Sequence, residues 1–298
     1  MDHPRFIIEA SEAESMAKSS GLTLPQLLPS LVRSSQSLAR APISKFQVAA
    51  VAVGASGRIF IGVNLEFPGL PFHHTVHAEQ FLLTNLALNA ETQLRWLAVS
   101  AAPCGHCRQF LQEIRDAPNI ELLITDNDDP SFTPLSHFLT HPFGPHDLLP
   151  KGVPLLLEPR HNNLTFSGDY SPCSDNVLSN GDTPMISQKL KFAALEAANA
   201  SHAPYSGCPS GVALLDSQGK IYRGSYMESA AYNPSLGPLQ TALIAYVAAG
   251  AADYDGVVAA VLVEKDGAVV RQETTARLLL QEISPQCQFK AFLCTSAD

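Results

Sequence analysis

The chain is poor in positive charge. Its 298 residues carry 19 lysines and arginines against 28 aspartates and glutamates, a formal net charge of −9, and no long Lys/Arg run interrupts that excess. Binding to a phosphate backbone draws on many cationic side chains, so a nucleic-acid partner is not expected. A small neutral or cationic ligand suits the charge better. Long apolar runs are also missing. No stretch reaches the roughly 18 consecutive apolar residues of a membrane span. The opening "MDHPRFIIEASEAESMAKSSG" carries acids early and has no apolar run of signal-peptide length. Cysteine is scarce, with six residues at 104, 107, 173, 208, 287 and 294. Without a secretory signal these are expected to be reduced thiols, and the protein is expected in the cytoplasm, away from membranes. What the chain does have is apolar bulk: 46% of its residues are hydrophobic, enough for one large domain or two ordinary ones.

The order of elements is legible in the first half. "LTLPQLLPSLVRSSQSLAR" (22–40) has helical apolar spacing, with Pro25 and Pro29 better suited to a helix entry than its interior. "FQVAAVAV" (46–53) and "GRIFIGVNLE" (57–66) are strand-like around a short Gly/Ser turn. "VHAEQFLLTNLALNAE" (76–91) reads as a helix, "RWLAVSAA" (95–102) as a strand buried on both faces, "CGHCRQFLQEIRD" (104–116) as a helix and "IELLIT" (120–125) as a strand. Strands alternating with helices imply an α/β fold with its sheet covered on both sides. Residues 167–184 are rich in Pro, Ser, Asn, Asp and Gly and read as a linker or long loop, after which "ISQKLKFAALEAANAS" (186–201) makes another helix.

The second half echoes the first. "GRIFIGVNLE" (57–66) matches "GKIYRGSYME" (219–228) at an offset of 162, and from 42 to 66 six of 25 positions are identical, among them Pro42 on Pro204 and Ser44 on Ser206. "LQEI" recurs at 111–114 and 280–283. The expectation is a duplicated α/β/α sandwich, with residues 1–150 as a first domain, 151–185 as a linker or long loop and 186–298 as a second copy. At the same offset His77 falls on Leu239, Glu79 on Thr241 and Cys104 on Asp266. The second copy is thus expected to have kept the scaffold and lost the chemistry.

That chemistry centres on "PCGHC" (103–107). Cys104 and Cys107 are three apart at a helix start, where partial positive charge favours thiolates. By themselves they suit redox chemistry and metal binding equally. His77, in "HAE", adds an imidazole. One imidazole and two thiolates leave an open fourth position on zinc, the pattern of a catalytic rather than a structural site. Glu79 is placed to exchange protons with water at that position. His106 lies between the thiols and is expected to turn away from them, while His73 and His74 are rival ligands. The joint pattern H-x-E…P-C-x-x-C matches the signature of zinc-dependent nucleobase deaminases.

At these residues the chain resembles the cytidine deaminases, specifically the dimeric class whose subunit pairs a catalytic domain with a degenerate copy. The resemblance spans most of the chain, through "FQVAAVAV", "GVNLEF", "TVHAEQ", "PCGHCRQF", "FGPHDL", "SHAPYSGCPSGVAL" and "ESAAYNPSLGPLQTALI". It implies hydrolysis of cytidine and deoxycytidine to uridine and deoxyuridine with release of ammonia, in pyrimidine salvage. It implies one zinc ion per subunit on His77, Cys104 and Cys107, with Glu79 as the catalytic acid–base. It implies Asn64 and Glu66 on the ribose, Phe46 stacked on the pyrimidine, and a homodimer whose loops complete each other's sites, with Phe143 as the aromatic that reaches across. The alternatives are a polynucleotide cytosine deaminase, a non-enzymatic zinc module and a thiol oxidoreductase.

Overall fold

The computed structural model of the chain describes residues 5–166 and 187–297. Of the connector expected over 151–185, residues 167–185 lie outside them. The described residues divide into two compact units. The first holds residues up to Pro159 together with Ser229–Ser235 and Ala248–Gly250, and the second holds the remainder.

The first unit begins with β1 (Ile7–Ile8), α1 (Ala10–Ser20) and α2 (Leu24–Ser35). Thr23 and Gln26 cap α2, with the Thr23 N–H donating to Gln26 Oε1 at 2.9 Å. Pro25 stands at the helix entry as expected, but Pro29 lies inside the helix. β2 (Ala49–Gly54), β3 (Ile59–Val63), α3 (Ala78–Leu88), β4 (Leu94–Val99), α4 (Gly105–Phe110), β5 (Glu121–Ile124), β6 (Thr133–Pro134) and the short helices α5 (Leu135–Phe138) and α6 (Pro145–Leu148) follow. The sheet runs in the order β1-β3-β2-β4-β5-β6. β2 pairs antiparallel with both β3 and β4, and β4 runs parallel to β5. Every residue of β2 is buried, as a central strand covered on both faces requires. The helix expected over 104–116 stops at Phe110 and continues as a 3-10 turn, Leu111–Glu113. The expectations had no element for α1.

The second unit repeats the plan. It contains β7 (Leu164–Thr165), α7 (Gln188–Asn199), β8 (Ser210–Asp216), β9 (Ile221–Ser225), α8 (Pro238–Ala248), β10 (Val257–Lys265), α9 (Glu273–Ile283) and β11 (Gln288–Ser296). Its sheet has the order β7-β11-β10-β8-β9. The four-strand core β9-β8-β10-β11 corresponds in order and direction to β3-β2-β4-β5. Gly211 packs against the backbone of α7 and Gly224 against that of α8. Gly224 pairs across the ladder with Val212, the neighbour of Gly211. Since successive residues of a strand face opposite ways, the two helices cover opposite faces of the sheet, which gives the three-layer sandwich.

The register of the repeat needs two corrections, one of them at β10, where Val212 pairs with Leu262 as Ala50 does with Val99, an offset of 163 that matches Cys104 to Gly267 rather than to Asp266. The offset of 162 holds through the bridges that pair Arg40 with Leu65 and His202 with Met227. The next bridges pair Leu65 with Val76 but Met227 with Leu236, so the offset falls to 160 and the second copy's loop is two residues shorter. His77 therefore corresponds to Gly237 and Glu79 to Leu239, rather than to Leu239 and Thr241. The loss of both groups from the second copy stands. Among the described residues, no helix is long and apolar enough to cross a membrane.

Candidate active site

Two helix starts converge in the first unit. His77 is the residue that caps α3, with extended backbone at φ −82° and ψ 155°, and its N–H donates to Gln80 Oε1 at 3.1 Å. Cys104 caps α4 in the same way, at φ −68° and ψ 168°. Cys104 is thus just outside the helix and Cys107 in its first turn, rather than both on one helical face. Cys104 Sγ lies 3.5 Å from His77 Nδ1, Cys107 Sγ lies 3.3 Å from it, and the two sulfurs are 3.7 Å apart. Both cysteines are free thiols, and their separation is well beyond the roughly 2 Å of a disulfide bond.

This donor set fits zinc. With Zn–S near 2.3 Å and Zn–N near 2.05 Å, a tetrahedron has S···S edges of about 3.8 Å and S···N edges of about 3.6 Å. The three separations match those edges to within about 0.3 Å, and the three donor atoms all lie within 4.8 Å of one another. Among the described residues this is the one such group of His, Cys, Asp and Glu. His73 and His74 do not join it; their rings pack on each other at 4.1 Å. His106 does not either, since its Nε2 lies 3.0 Å from the carbonyl of Asn233.

Without a metal, the two sulfurs divide into one thiolate and one thiol. The hydrogen bond from Cys107 is the largest influence on Cys104 and, with His77, outweighs partial burial to bring its pKa down to about 3. Cys107 accordingly keeps its proton; donation to Cys104 and burial both push its pKa up. His77 is raised, first by its hydrogen bond with Cys104. Glu79, in the first turn of α3, is 4% exposed, and burial raises its carboxyl pKa.

A cavity of about 290 Å³ opens on this cluster, and Phe46, Asn64, Glu66, His77, Glu79 and Cys104 are among its lining residues. Asn64 is tied to the backbone on both sides of its amide: Oδ1 accepts from Val48 N–H at 2.9 Å and Nδ2 donates to the Phe46 carbonyl at 3.0 Å. Glu66 accepts from the N–H groups of Ile43 at 2.8 Å and Ser44 at 3.0 Å, and from the Ser44 hydroxyl. A carboxylate has about four acceptor positions, so these three donors leave one open. Phe46 is 58% exposed at its rim. Phe143 is not among the lining residues. It lies at the surface, its N–H donating to Gln109 Oε1 at 3.3 Å and its carbonyl accepting from the same amide. Sequence reasoning missed Ser44 and Gln80. Ser44 was visible as one of the few identities shared with the second copy, whereas the match of Gln80 to Gln240 emerges only with the corrected register.

Residues 25–121 and 135–277 match models of the cytidine and deoxycytidylate deaminase zinc-binding region. Cytidine deaminase 1 of Arabidopsis thaliana is 60% identical over 308 residues, covering all of both chains. Cytidine deaminase 7 of the same plant is 48% identical, over 98% of this chain and 95% of its own. The plant's probable inactive cytidine deaminase 4 is still 40% identical, over 97% of this chain and 96% of its own. Overall likeness at that level therefore leaves activity to be argued from the site. The crystal structure of cytidine deaminase from Mycobacterium tuberculosis is 30% identical and covers 40% of this chain and 96% of its own, with a TM-score of 0.35.

Proposed function

The chain belongs to the cytidine and deoxycytidylate deaminase family, as a zinc-dependent enzyme that deaminates cytidine, and from that premise we propose how its residues divide the work. His77, Cys104 and Cys107 would hold the zinc, which when bound would supply Lewis-acid chemistry and ease the ionisation of water. Asn64 and the open acceptor position of Glu66 hold the ribose hydroxyls at the cavity mouth. Phe46 covers the pyrimidine and brings C4 toward Glu79. The Glu79 carboxylate takes the proton of the attacking water and places it on N3 of the ring as oxygen adds to C4. It then takes the remaining proton from that oxygen and delivers it to the amino group. Ammonia leaves as the C4–N bond breaks, the C4 carbonyl forms, and the product is uridine. Deoxycytidine, which keeps the same base and 3′-hydroxyl, is accepted in the same pose.

Burial suits Glu79 for this shuttle, because a carboxyl with a raised pKa holds a proton more readily between the two transfers. Phe143 is assigned to a second subunit: it is an exposed aromatic, away from its own chain's cavity and fixed by Gln109, as a residue that completes a partner's site in a homodimer would be. The charge of −9 and the assignment of Asn64 and Glu66 to the ribose favour a free nucleoside over a polynucleotide, and with it a nucleoside-salvage role.

The observation that carries this reading is the zinc-sized triangle of His77, Cys104 and Cys107 with the Glu79 carboxyl in the same cavity. The test is Glu79→Gln. Zinc content and fold are expected to be retained while turnover of cytidine falls by about 10²- to 10⁴-fold, the usual share of a general acid–base. Wild-type turnover in that variant would remove Glu79 from the mechanism, and faster turnover of a single-stranded oligonucleotide than of cytidine by the wild-type enzyme would overturn the substrate assignment.

A further inference from the structure

Ser229–Ser235 follows β9 and precedes α8 in the chain, yet it is part of the first compact unit. It is fastened there at three points. The Ala230 N–H donates to Glu113 Oε1 at 2.7 Å, and Glu113, on the turn that continues α4, is fully buried. The Asn233 carbonyl lies 3.0 Å from His106 Nε2. A carbonyl only accepts, so this nitrogen carries the ring's proton. The next carbonyl, that of Pro234, accepts from Gln80 Nε2 at 3.1 Å in a buried hydrogen bond.

Two adjacent carbonyls are therefore bound to two different helices. Gln80 is in the first turn of α3, and the other end of its amide accepts from the His77 N–H. His106 lies between Cys104 and Cys107, and its ring is 5.5 Å from that of His77. The segment that presents these carbonyls is itself braced. Ser229 N–H donates to Ser235 Oγ at 2.9 Å, and Tyr232 N–H donates to the Ser229 carbonyl at 2.9 Å. Tyr232 is held at φ 62°, a left-handed conformation that a bulky residue keeps only where its surroundings impose it.

We propose that the Asn233–Pro234 peptide is a clamp that fixes the separation of the α3 and α4 starts and so sets how tightly zinc is retained. His106 and Gln80 are its positioning residues. The metal's donors come from two helices joined through β4, and a third element bound to both first turns holds their spacing before the metal arrives. Partners that orient a metal ligand are commonly worth 10- to 100-fold in metal affinity. The inference rests on zinc as the cofactor and is independent of which nucleoside is deaminated.

The test compares zinc release to a chromogenic chelator from wild type, His106→Phe, His106→Gln and Gln80→Glu, with the melting temperature of each zinc-free protein as a control. His106→Phe keeps a ring beside His77 and removes the donor; His106→Gln restores a donor of similar reach. Expected are a 10- to 100-fold rise in zinc release for His106→Phe, release near wild type for His106→Gln, and unchanged melting of the zinc-free forms. Gln80→Glu keeps the acceptor for His77 and loses the donor to Pro234, so it is expected to release zinc as fast as His106→Phe. Release at the wild-type rate from His106→Phe, or release as fast from His106→Gln as from His106→Phe, would overturn the clamp. His106 is only partly buried, so the His106 pair decides the matter even where Gln80→Glu does not fold. Zinc retained normally with no cytidine turnover would count against the functional reading and leave the clamp standing.

Discussion

Glu228 in the second copy holds the same three donors that Glu66 holds in the first. Glu228 accepts from the N–H groups of Tyr205 at 2.9 Å and Ser206 at 3.1 Å and from the Ser206 hydroxyl, as Glu66 does from Ile43 and Ser44. Around this shared latch the cavity residues have changed: Asn64 corresponds to Tyr226 and Phe46 to Cys208. A carboxylate kept where the other groups are lost has a structural duty, the holding of the turn that precedes the central strand. In the first copy that turn also carries Phe46, whose N–H donates to the Ser44 hydroxyl at 3.0 Å. Ser44→Ala and Ser206→Ala are therefore expected to cost similar stability, about 1 kcal/mol each, whereas only Ser44→Ala raises KM for cytidine, by several-fold, with kcat little changed. Chemical denaturation and steady-state kinetics on the two variants check this, and an equal KM effect from Ser206→Ala would refute the division.

The Glu66 latch has a pH signature. Partial burial pushes its carboxyl up, but the hydrogen bonds from the Ser44 hydroxyl and the Ser44 and Ile43 N–H groups, with Lys45 nearby, outweigh it, and the pKa lies below the ordinary 4.5. A carboxyl with a depressed folded-state pKa binds its proton more readily when unfolded. Its contribution is thus fully present above the ordinary pKa and lost as pH falls through the folded-state value. The stability gap between wild type and Glu66→Gln is expected to be constant near neutrality and to close below pH 4.5. A gap that persists unchanged through acid would mean that the ionised form is not what the latch uses.

Gly62 explains another part of the echo. A Cβ there would lie 2.3 Å from the Ala78 carbonyl oxygen and 2.5 Å from the Leu82 nitrogen, both backbone atoms of α3. The equivalent Gly224 meets the backbone of α8 in the same way. Because backbone cannot rotate aside, Gly62→Ala must displace α3, which carries His77 at its start. Expected are a loss of about 1–3 kcal/mol, as for other overpacked cores, and faster release of zinc. Thermal melts with metal analysis would show it, and a variant with unchanged melting and zinc content would mean that the strand and helix separate without cost.

Much of this was legible in the sequence because it is periodic or local. The apolar runs of β2, β3 and β4 and the helix over α3 declared themselves, and so did the group of His77, Cys104 and Cys107 that can hold a metal ion, since residues at helix starts carry their position in their spacing. The duplication was readable from Gly57, Gly62 and Glu66, whose counterparts Gly219, Gly224 and Glu228 face the same backbone constraints. The lost part was long-range. A two-residue shortening between Met227 and Leu236 shifted the pairing of His77, and no local signal marks a deletion inside a loop. The attachment of Asn233 and Pro234 to His106 and Gln80 joins residues 127 and 154 apart through backbone carbonyls, which any residue type supplies. The length of α4 was overestimated because "FLQEIRD" has helical letters while the chain there tightens into a 3-10 turn.

Removal of zinc exposes a difference between the two thiols that the metal otherwise hides. In the metal-free arrangement Cys104 is exposed and its pKa is brought down to about 3 by the Cys107 hydrogen bond and by His77, while Cys107 is buried and keeps the proton. Burial pushes Cys287 up to about 12 and Cys294 up to about 11. At pH 6 a group with pKa near 3 is a thiolate and groups near 11 or 12 are not, and only the thiolate attacks an alkylating agent. After chelation at pH 6, iodoacetamide is expected to modify Cys104 well ahead of Cys107, Cys287 and Cys294, as read by peptide mapping; Cys173 lies outside the described residues and is resolved by the same map. Zinc-loaded protein is expected to be protected at Cys104, because sharing a lone pair with the metal withdraws charge from the sulfur and makes it a weaker nucleophile than the free thiolate. Re-addition of zinc before alkylation should restore both protection and cytidine turnover, and after alkylation neither. Labelling of Cys104 that begins only above pH 8, or that is equally fast with zinc bound, would show that Cys104 is neither the thiolate of the pair nor a ligand.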